Sequence, residues 1–357
     1  MNNNLKIIIV GFYTISTIIL MGCTSQKNEV IMGRDFLSKR LYYQAPMTTI
    51  THITVGDLTP EIGYELGVFD QMGLHILSLE SKKTISKINF GLSSGIWKPE
   101  IIYPDKEGHY EIVISDGVGD VGLMDQFGKV MWMFKPESSA IINNMAAGDL
   151  DRDGISEFYV AANDGLYKLN HQGKMLWHKG DWAYDVEVYD PANNQTPVII
   201  TINHDRYIQF WNSEGEVIRN IKLKVTAYNI ELIDWPTPGH FLVKSGSSFF
   251  ILDMDGNTVL EHKLSVFFSL EDYEIFTIRG TTVKFYENQN PYLAVVTKFR
   301  SSSGKSMLNI FAPDGKLVYK GLISVTTGVA AVHLPSSKSE VLLVGDGPGK
   351  VNSYQIK

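Results

Sequence analysis

The residues best suited to chemistry form one short acidic stretch near the middle of the chain. Aspartates stand at positions 149, 151 and 153, Gly154 follows them, and a glutamate stands at position 157. Like charges at this spacing repel one another unless a cation lies between them. Ca²⁺ takes about six to eight oxygen ligands, and Gly154 permits the sharp turn that would gather the carboxylates. The stretch Asp149–Glu157 therefore predicts a calcium loop; the alternative is a solvated, aspartate-rich turn that holds no ion.

The elements that would hold this loop are short β-strands. Helical periodicity is hard to find, whereas runs such as EIVIS, EFYVA, PVIITI and EVLLV recur along the chain. Tight turns of one kind separate many of them, with Gly in fourth place and, in four of five, Asp or Asn in first place, as type I turns prefer. These turns are residues 125–128, 170–173, 212–215, 253–256 and 312–315.

A repeat of strand and turn fills most of the chain. Strand openings fall at Glu65, Glu111, Glu157, Pro197, His240, Tyr292 and Glu340, at intervals of 40 to 52 residues. A period of this size indicates blades or a solenoid. A single four-stranded sheet cannot bury both faces alone, whereas seven sheets packed around an axis can, and the ring removes long exposed edges. The sequence thus predicts an all-β fold, a seven-bladed β-propeller over residues 34–357.

The two ends of the chain bear on how the ring closes. The last unit ends at Lys357 without room for a final outer strand. The segment 34–44, which contains FLSKRLYYQ, can supply that strand, so that both ends of the chain would close the ring together. The alternative is that this segment is a disordered linker.

The acidic loop is similar to the calcium loop of FG-GAP/VCBS (integrin-α-like) propeller repeats. It differs from an EF-hand, whose twelfth position would here be Val160 rather than Glu. The resemblance implies ligands at loop positions one, three, five, seven and nine, and a structural ion that ties two strands together at one rim. Those ligands are Asp149, Asp151, Asp153, the Ile155 carbonyl and Glu157; a weaker sister loop offers Asp57, Glu61 and Glu65. The tight turn followed by Lys-x-x-Trp, ending at Trp132 and Trp177, is also similar to PQQ-like propeller repeats.

The N-terminal residues predict where the protein is located. The apolar run Ile7–Met21 is shorter than the roughly 20 residues of a membrane span and fits the apolar region of a secretory signal peptide. The run ends in Leu20-Met21-Gly22-Cys23, which resembles the lipobox of bacterial lipoproteins. The resemblance implies a signal peptide over residues 1–22, acylation of Cys23 to anchor the chain in a membrane, and a lipidated tether over residues 23–33. Thr24 favours the outer membrane of a Gram-negative cell envelope; the alternative is an uncleaved signal anchor.

Net charge and residue types reduce the number of function classes that fit this chain. The net charge of −7 argues against a nucleic-acid partner, which would require a basic face. Trp97, Trp182 and Trp235 lie near blade entries, where they line either a sugar- or peptide-binding face or the packing between blades. Because no catalytic constellation emerges, the sequence favours a non-enzymatic, protein-binding scaffold. The alternative is a carbohydrate-binding protein or a calcium-stabilised enzyme that acts on polysaccharides.

Overall fold

The computed structural model describes much of the chain beyond residue 29. The described residues are 30–45, 49–56, 58–59, 64–70, 73–90, 100–102, 110–115, 120–136, 140–191, 196–264, 275–287, 289–299, 305–324, 326–334, 337–347 and 349–357. They form 29 β-strands. Within these ranges no helix has the length and apolar character needed to cross a bilayer.

Two strands have three residues each, and all the others have five to nine. The first two strands are β1 (Val30–Met32) and β2 (Leu37–Gln44). Blades 1 and 2 comprise β3 (His52–Gly56), β4 (Glu65–Phe69), β5 (Gly73–Ser78), β6 (Thr84–Asn89), β7 (Glu100–Ile102), β8 (Glu111–Ser115), β9 (Val121–Asp125) and β10 (Val130–Phe134). Blades 3 and 4 comprise β11 (Ile142–Gly148), β12 (Glu157–Ala162), β13 (Gly165–Leu169), β14 (Met175–Lys179), β15 (Ala183–Tyr189), β16 (Val198–Asn203), β17 (Tyr207–Trp211) and β18 (Val217–Lys222). Blades 5 to 7 comprise β19 (Asn229–Ile233), β20 (His240–Ser245), β21 (Ser248–Leu252), β22 (Thr258–Lys263), β23 (Ile275–Val283), β24 (Tyr292–Phe299), β25 (Lys305–Phe311), β26 (Leu317–Ser324), β27 (Val329–His333), β28 (Glu340–Asp346) and β29 (Lys350–Ile356).

These strands make seven antiparallel sheets, and within each sheet, apart from β1 and β2, each strand pairs with its neighbours in sequence. The first strand of one blade contacts the first strand of the next, from β11 through β15, β19, β23 and β27 back to β3. First strands therefore surround the central axis and fourth strands form the rim. The predicted all-β, seven-bladed β-propeller is confirmed.

The core of the molecule lies between blades rather than within them. Seven clusters of buried apolar side chains are present among the described residues, and each joins two neighbouring blades. Strand β12 shows why: Phe158 and Val160 pack towards blade 2, whereas Tyr159 and Ala161 pack towards blade 4. Successive side chains of a strand point to opposite faces, so a strand that is buried on both faces reads as a continuous apolar run.

Strand β2, from the N-terminal part of the chain, closes the ring, as the sequence predicts. Strand β2 pairs antiparallel with β29 and becomes the outer strand of blade 7. Lys39 on β2 forms a 2.9 Å ion pair with Asp346 on β28. The hydroxyl of Tyr42 donates to the carbonyl of Leu79 in blade 1, at 2.7 Å. One strand thus joins the last blade to the first.

Strand β1 corrects the boundary of the predicted tether. Residues 23–33 were expected to be a polar linker, but Val30–Met32 pairs with β26 as a fifth strand at the rim of blade 6. An outer strand leaves backbone groups without partners along its edge, and β26 presents eight residues of such an edge. The short apolar run VIM satisfies part of it, so the propeller begins before residue 34.

The five tight turns form as their residue types require. In each turn the amide of the fourth residue donates to the carbonyl of the first, at 2.9–3.1 Å. Each turn ends in a glycine with φ between 75° and 86°, a region in which other residues are strained. These turns join the third strand to the outer strand in blades 2 to 6. The outer strands consequently start in the same register in five blades.

Candidate functional site

The acidic loop joins β11 to β12 in blade 3. Asp149, Asp151 and Asp153 each place a carboxylate oxygen within 4.8 Å of the others, and we call these three the carboxylate group. Asp151 and Asp153 are exposed, and Asp149 is half-buried. Carboxylate oxygens at this density on an open loop are a donor set that suits Ca²⁺.

Local backbone geometry gathers these three side chains. Arg152 and Gly154 adopt left-handed φ values of 61° and 89°, which fold the loop back on itself. The amides of Asp153 and Gly154 donate to the Asp149 carboxylate at 3.1 and 2.8 Å. The guanidinium of Arg152 pairs with Asp190, on the loop beyond β15, at 3.0 Å. The loop is therefore shaped by its own backbone, with the carboxylates directed at one another.

The electrostatics of the loop reflect this crowding. Partial desolvation, together with the neighbouring Glu157 and Asp153 carboxylates, raises the pKa of Asp151 above its ordinary value. A divalent cation among the aspartates would remove this repulsion. The residues present thus fit Ca²⁺ in both donor chemistry and charge.

The other two predicted ligands, Glu157 and the Ile155 carbonyl, are not members of the carboxylate group. One oxygen of Glu157 lies 2.5 Å from Nζ of Lys168, and the other accepts from the Tyr159 hydroxyl at 3.1 Å and from the Leu150 amide at 3.4 Å. The amide of Ile155 donates to Asp153 at 2.7 Å. The structure therefore brings three of the five predicted ligands together, and the roles of Glu157 and the Ile155 carbonyl stay predictions.

The weaker sister loop repeats the position of Glu157. Glu65 opens β4 as Glu157 opens β12, and it accepts from the Leu58 amide at 2.7 Å, seven residues earlier, just as Glu157 accepts from Leu150. Both repeats carry the sequence Gly-Asp-Leu before this glutamate. The shared glutamate closes the loop at the entry of the second strand. Asp57 and Glu61 lie outside the described residues, so the sister site stays a prediction.

The tryptophans divide into packing and surface residues. Nε1 of Trp132 donates to the His171 carbonyl at 2.9 Å, and Nε1 of Trp177 donates to Ser213 at 3.1 Å. Each therefore binds the tight turn of the following blade, at the matched offset seen in the sequence. Trp235 is 1% exposed and belongs to the core between blades 5 and 6, so of its two interpretations the packing between blades is confirmed. Trp97 lies outside the described residues.

Trp182 lies in an exposed cluster that we call the aromatic face. Its ring stacks on His204 with centroids 5.3 Å apart and an interplanar angle of 28°. Tyr184 meets Tyr228 edge-on at 5.0 Å, and burial, together with Tyr228, raises the pKa of Tyr184. The aromatic face consists of Trp182, Tyr184, His204 and Tyr228. It joins the entries of blades 4 and 5.

A second surface runs along the rim. The third residue after the turn glycine is apolar and between 44% and 57% exposed in blades 2 to 5. We call these residues the edge band; they are Met131, Leu176, Ile218 and Val259. In blade 6 the equivalent residue, Val318, is half-buried, and its carbonyl lies against Gly33, just beyond β1. In blade 6 the segment around β1 therefore covers the position that stays exposed in blades 2 to 5.

Comparison with known proteins establishes the fold. Residues 111–239 match a family model described as the lambda-carrageenase beta-propeller domain. Two crystal structures of BBS1N in complex with ARL6DN, one soaked with lead and one with mercury, align with TM-scores of 0.61 and 0.60 at 12% and 13% identity. Both alignments cover 89% of this chain and 97% of that chain. The chain is a β-propeller. A search of curated proteins found no match.

The segment that matches the carrageenase model contains both the carboxylate group and the aromatic face. The sequence identified Trp182 but not the cluster around it, because His204 and Tyr228 lie far from Trp182 in the chain. It also missed the edge band, although the signal was available: an apolar residue stands three places after each turn glycine.

Proposed function

We propose that this chain is a lipid-anchored protein of the cell envelope whose propeller binds a protein partner and does not itself catalyse a reaction. The edge band carries the proposal. Monomeric soluble proteins rarely expose contiguous apolar patches larger than a few hundred Å², and such patches often mark interaction sites. The edge band places an exposed apolar side chain at the same position on each of four successive blades.

Strand β1 indicates the form that a partner would take. It adds an antiparallel strand to the outer edge of blade 6. The sheets of blades 2 to 5 each end at the fourth strand, and no fifth strand pairs with them among the described residues. An extended segment that joins an exposed edge gains backbone hydrogen bonds, and side-chain contacts supply specificity. The partner we propose is an extended, apolar protein segment that lies along these edges.

The proposed anchor would place the part of the edge band on blades 2 and 3 away from the bilayer. Cys23 lies outside the described residues, and β1 begins seven residues later, at the rim of blade 6. A chain of that length spans at most about 25 Å, so acylation of Cys23 would hold blade 6 close to the membrane. In a ring of seven, blades 2 and 3 lie opposite blade 6. Met131 and Leu176 would then face a protein rather than lipid.

The propeller fold accommodates such a role. BBS1N, which shares the fold, is described in complex with ARL6DN. We propose a protein partner for this chain on its edge band.

Site-specific cross-linking tests this function. A photoreactive residue at position 131 or 176 of the acylated protein should cross-link one reproducible protein in intact cells. The same residue at Lys87, exposed on the rim strand of blade 1, should not. Leu176→Asp should lower the yield at position 131 at least tenfold, because it places a charge in an apolar contact. Equal yields from positions 87 and 131, or no cross-linked protein, would contradict the proposal.

We also propose that the carboxylate group binds Ca²⁺ and thereby stabilises blade 3. At a free Ca²⁺ concentration 100-fold above the dissociation constant, binding adds about 2.7 kcal/mol to the free energy of unfolding. The melting temperature should therefore be higher in Ca²⁺ than in EDTA. Asp151→Asn should reduce that difference, whereas Asp205→Asn, in an exposed loop of blade 4, should preserve it. Identical melting temperatures in Ca²⁺ and EDTA would exclude the ion.

A second candidate function is the binding of carbohydrate. The lambda-carrageenase propeller model matches the part of the chain that contains the aromatic face. Exposed aromatic side chains are common anchors in binding surfaces. This function uses a different surface from the edge band, so the two can coexist.

A further inference from the structure

The aromatic face occupies one end of the ring, opposite the carboxylate group. Trp182 directly precedes β15, and His204 directly follows β16, whose last residue pairs with the first residue of β15. Tyr228 directly precedes β19, the corresponding strand of blade 5. The carboxylate group lies at the other end of the first strand, in the loop from β11 to β12. A ligand on the aromatic face therefore does not compete with an ion in that loop.

Hydrogen bonds hold the aromatic face in place before any ligand arrives. The amide of His204 donates to the Trp182 carbonyl at 3.1 Å. Asp185, which is 3% exposed, accepts from the Asn229 side chain and, at 2.9 Å, from the Ile230 amide. This buried carboxylate fixes blade 5 against blade 4, and with it Tyr228 against Tyr184. A preorganised surface loses less entropy when a ligand binds.

The exposed groups define the chemistry of the ligand. Trp182 is 40% and Tyr228 42% exposed, and they offer aromatic surface on either side of Tyr184. Beside them, the side chains of His204 and Asp205 are 60% and 75% exposed and offer hydrogen-bonding groups. A hexopyranose has an apolar face of C–H groups and a rim of hydroxyls. It can stack on an indole while its hydroxyls reach the imidazole and the carboxylate.

We propose that the aromatic face binds a polysaccharide built of hexopyranose units, with Trp182 as the stacking residue. The inference rests on the second candidate function and names its site. It is independent of the edge band and of calcium. Tyr184 and Tyr228 widen the platform towards blade 5, so a chain of several sugars spans the two blades.

The test measures binding of the intact propeller to soluble polysaccharides. The probes are lambda-carrageenan, which is sulfated, and two neutral polymers, a galactan and a glucan. We expect one of them to bind, and Trp182→Ala to weaken that binding at least tenfold. Tyr286→Ala removes an aromatic ring of matched exposure, 41%, from blade 6 and should leave the affinity unchanged. Equal melting temperatures will show that both variants are folded.

Each outcome decides a separate point. Equal affinity of wild type and Trp182→Ala for a bound polysaccharide would overturn this site and leave carbohydrate binding intact. Failure of the wild type to bind any of the three probes would overturn both the site and the second candidate function. Binding of lambda-carrageenan alone would assign an anionic glycan, and binding of a neutral polymer would assign stacking without a charge requirement.

Discussion

A chain that lacks residues 30–45 should melt about 10 °C below the full chain, or fail to form a stable propeller. This segment supplies the outer strand of blade 7 and the fifth strand of blade 6. It also contributes Leu37 and Tyr42 to two of the cores between blades. Burial of such side chains contributes about 1.5–3 kcal/mol each. Removing Lys39 leaves the buried Asp346 carboxylate without its cation, at a cost of about 3–5 kcal/mol. At roughly 1.5 °C per kcal/mol for a propeller of this size, the combined loss is on the order of 10 °C.

Supplying the missing strand in trans separates this effect from general damage. A synthetic peptide of residues 34–45 should restore the melting temperature of the shortened chain in a saturable manner. The same peptide with Leu37→Asp and Tyr42→Asp should not, because both side chains enter apolar cores. A shortened chain that melts with the full-length protein would show that the ring closes without β2.

The features predicted from sequence are those set by local residue types. Asp125 and Gly128 specify their turn because the carboxylate accepts nearby amides and glycine adopts positive φ. Repetition of that turn fixed the blade size, and the missing outer strand of the last blade identified β2. Strand β1 escaped prediction because three residues carry no period and pair with a strand about 290 residues away.

The candidate site was also predictable only where its geometry depends on local residue types. Spacing alone identified the carboxylate group, since its geometry arises within one loop. The partner of Glu157 was not predictable, because Lys168 reaches it from the next strand, β13. The aromatic face likewise depends on the packing of blade 4 against blade 5. Contacts between strands follow from register and blade packing, which a local reading of sequence does not supply.

The Glu157–Lys168 pair should be the most sensitive point in blade 3. Both side chains are largely buried, at 8% and 6% exposed. Lys168→Met keeps the length of the side chain but leaves the Glu157 carboxylate, among the described residues, with the Tyr159 hydroxyl and the Leu150 amide as its remaining partners. Breaking a buried ion pair by removing one partner costs about 3–5 kcal/mol. We expect a fall in melting temperature of about 5–7 °C, measured by calorimetry in EDTA.

A double-variant cycle shows whether this loss arises from the stranded charge. Glu157→Gln combined with Lys168→Met removes both charges and should recover most of the stability, since replacing both members of a buried pair is often nearly neutral. Arg219→Met breaks an exposed pair with Asp255 of similar separation, 2.7 Å, and should cost less than about 1 kcal/mol. A double variant as unstable as Lys168→Met would mean that Lys168 acts through packing.

The difference in melting temperature between Ca²⁺ and EDTA, measured on the double variant, then tests Glu157 as a ligand. If the three aspartates alone hold the ion, this difference matches that of the wild type.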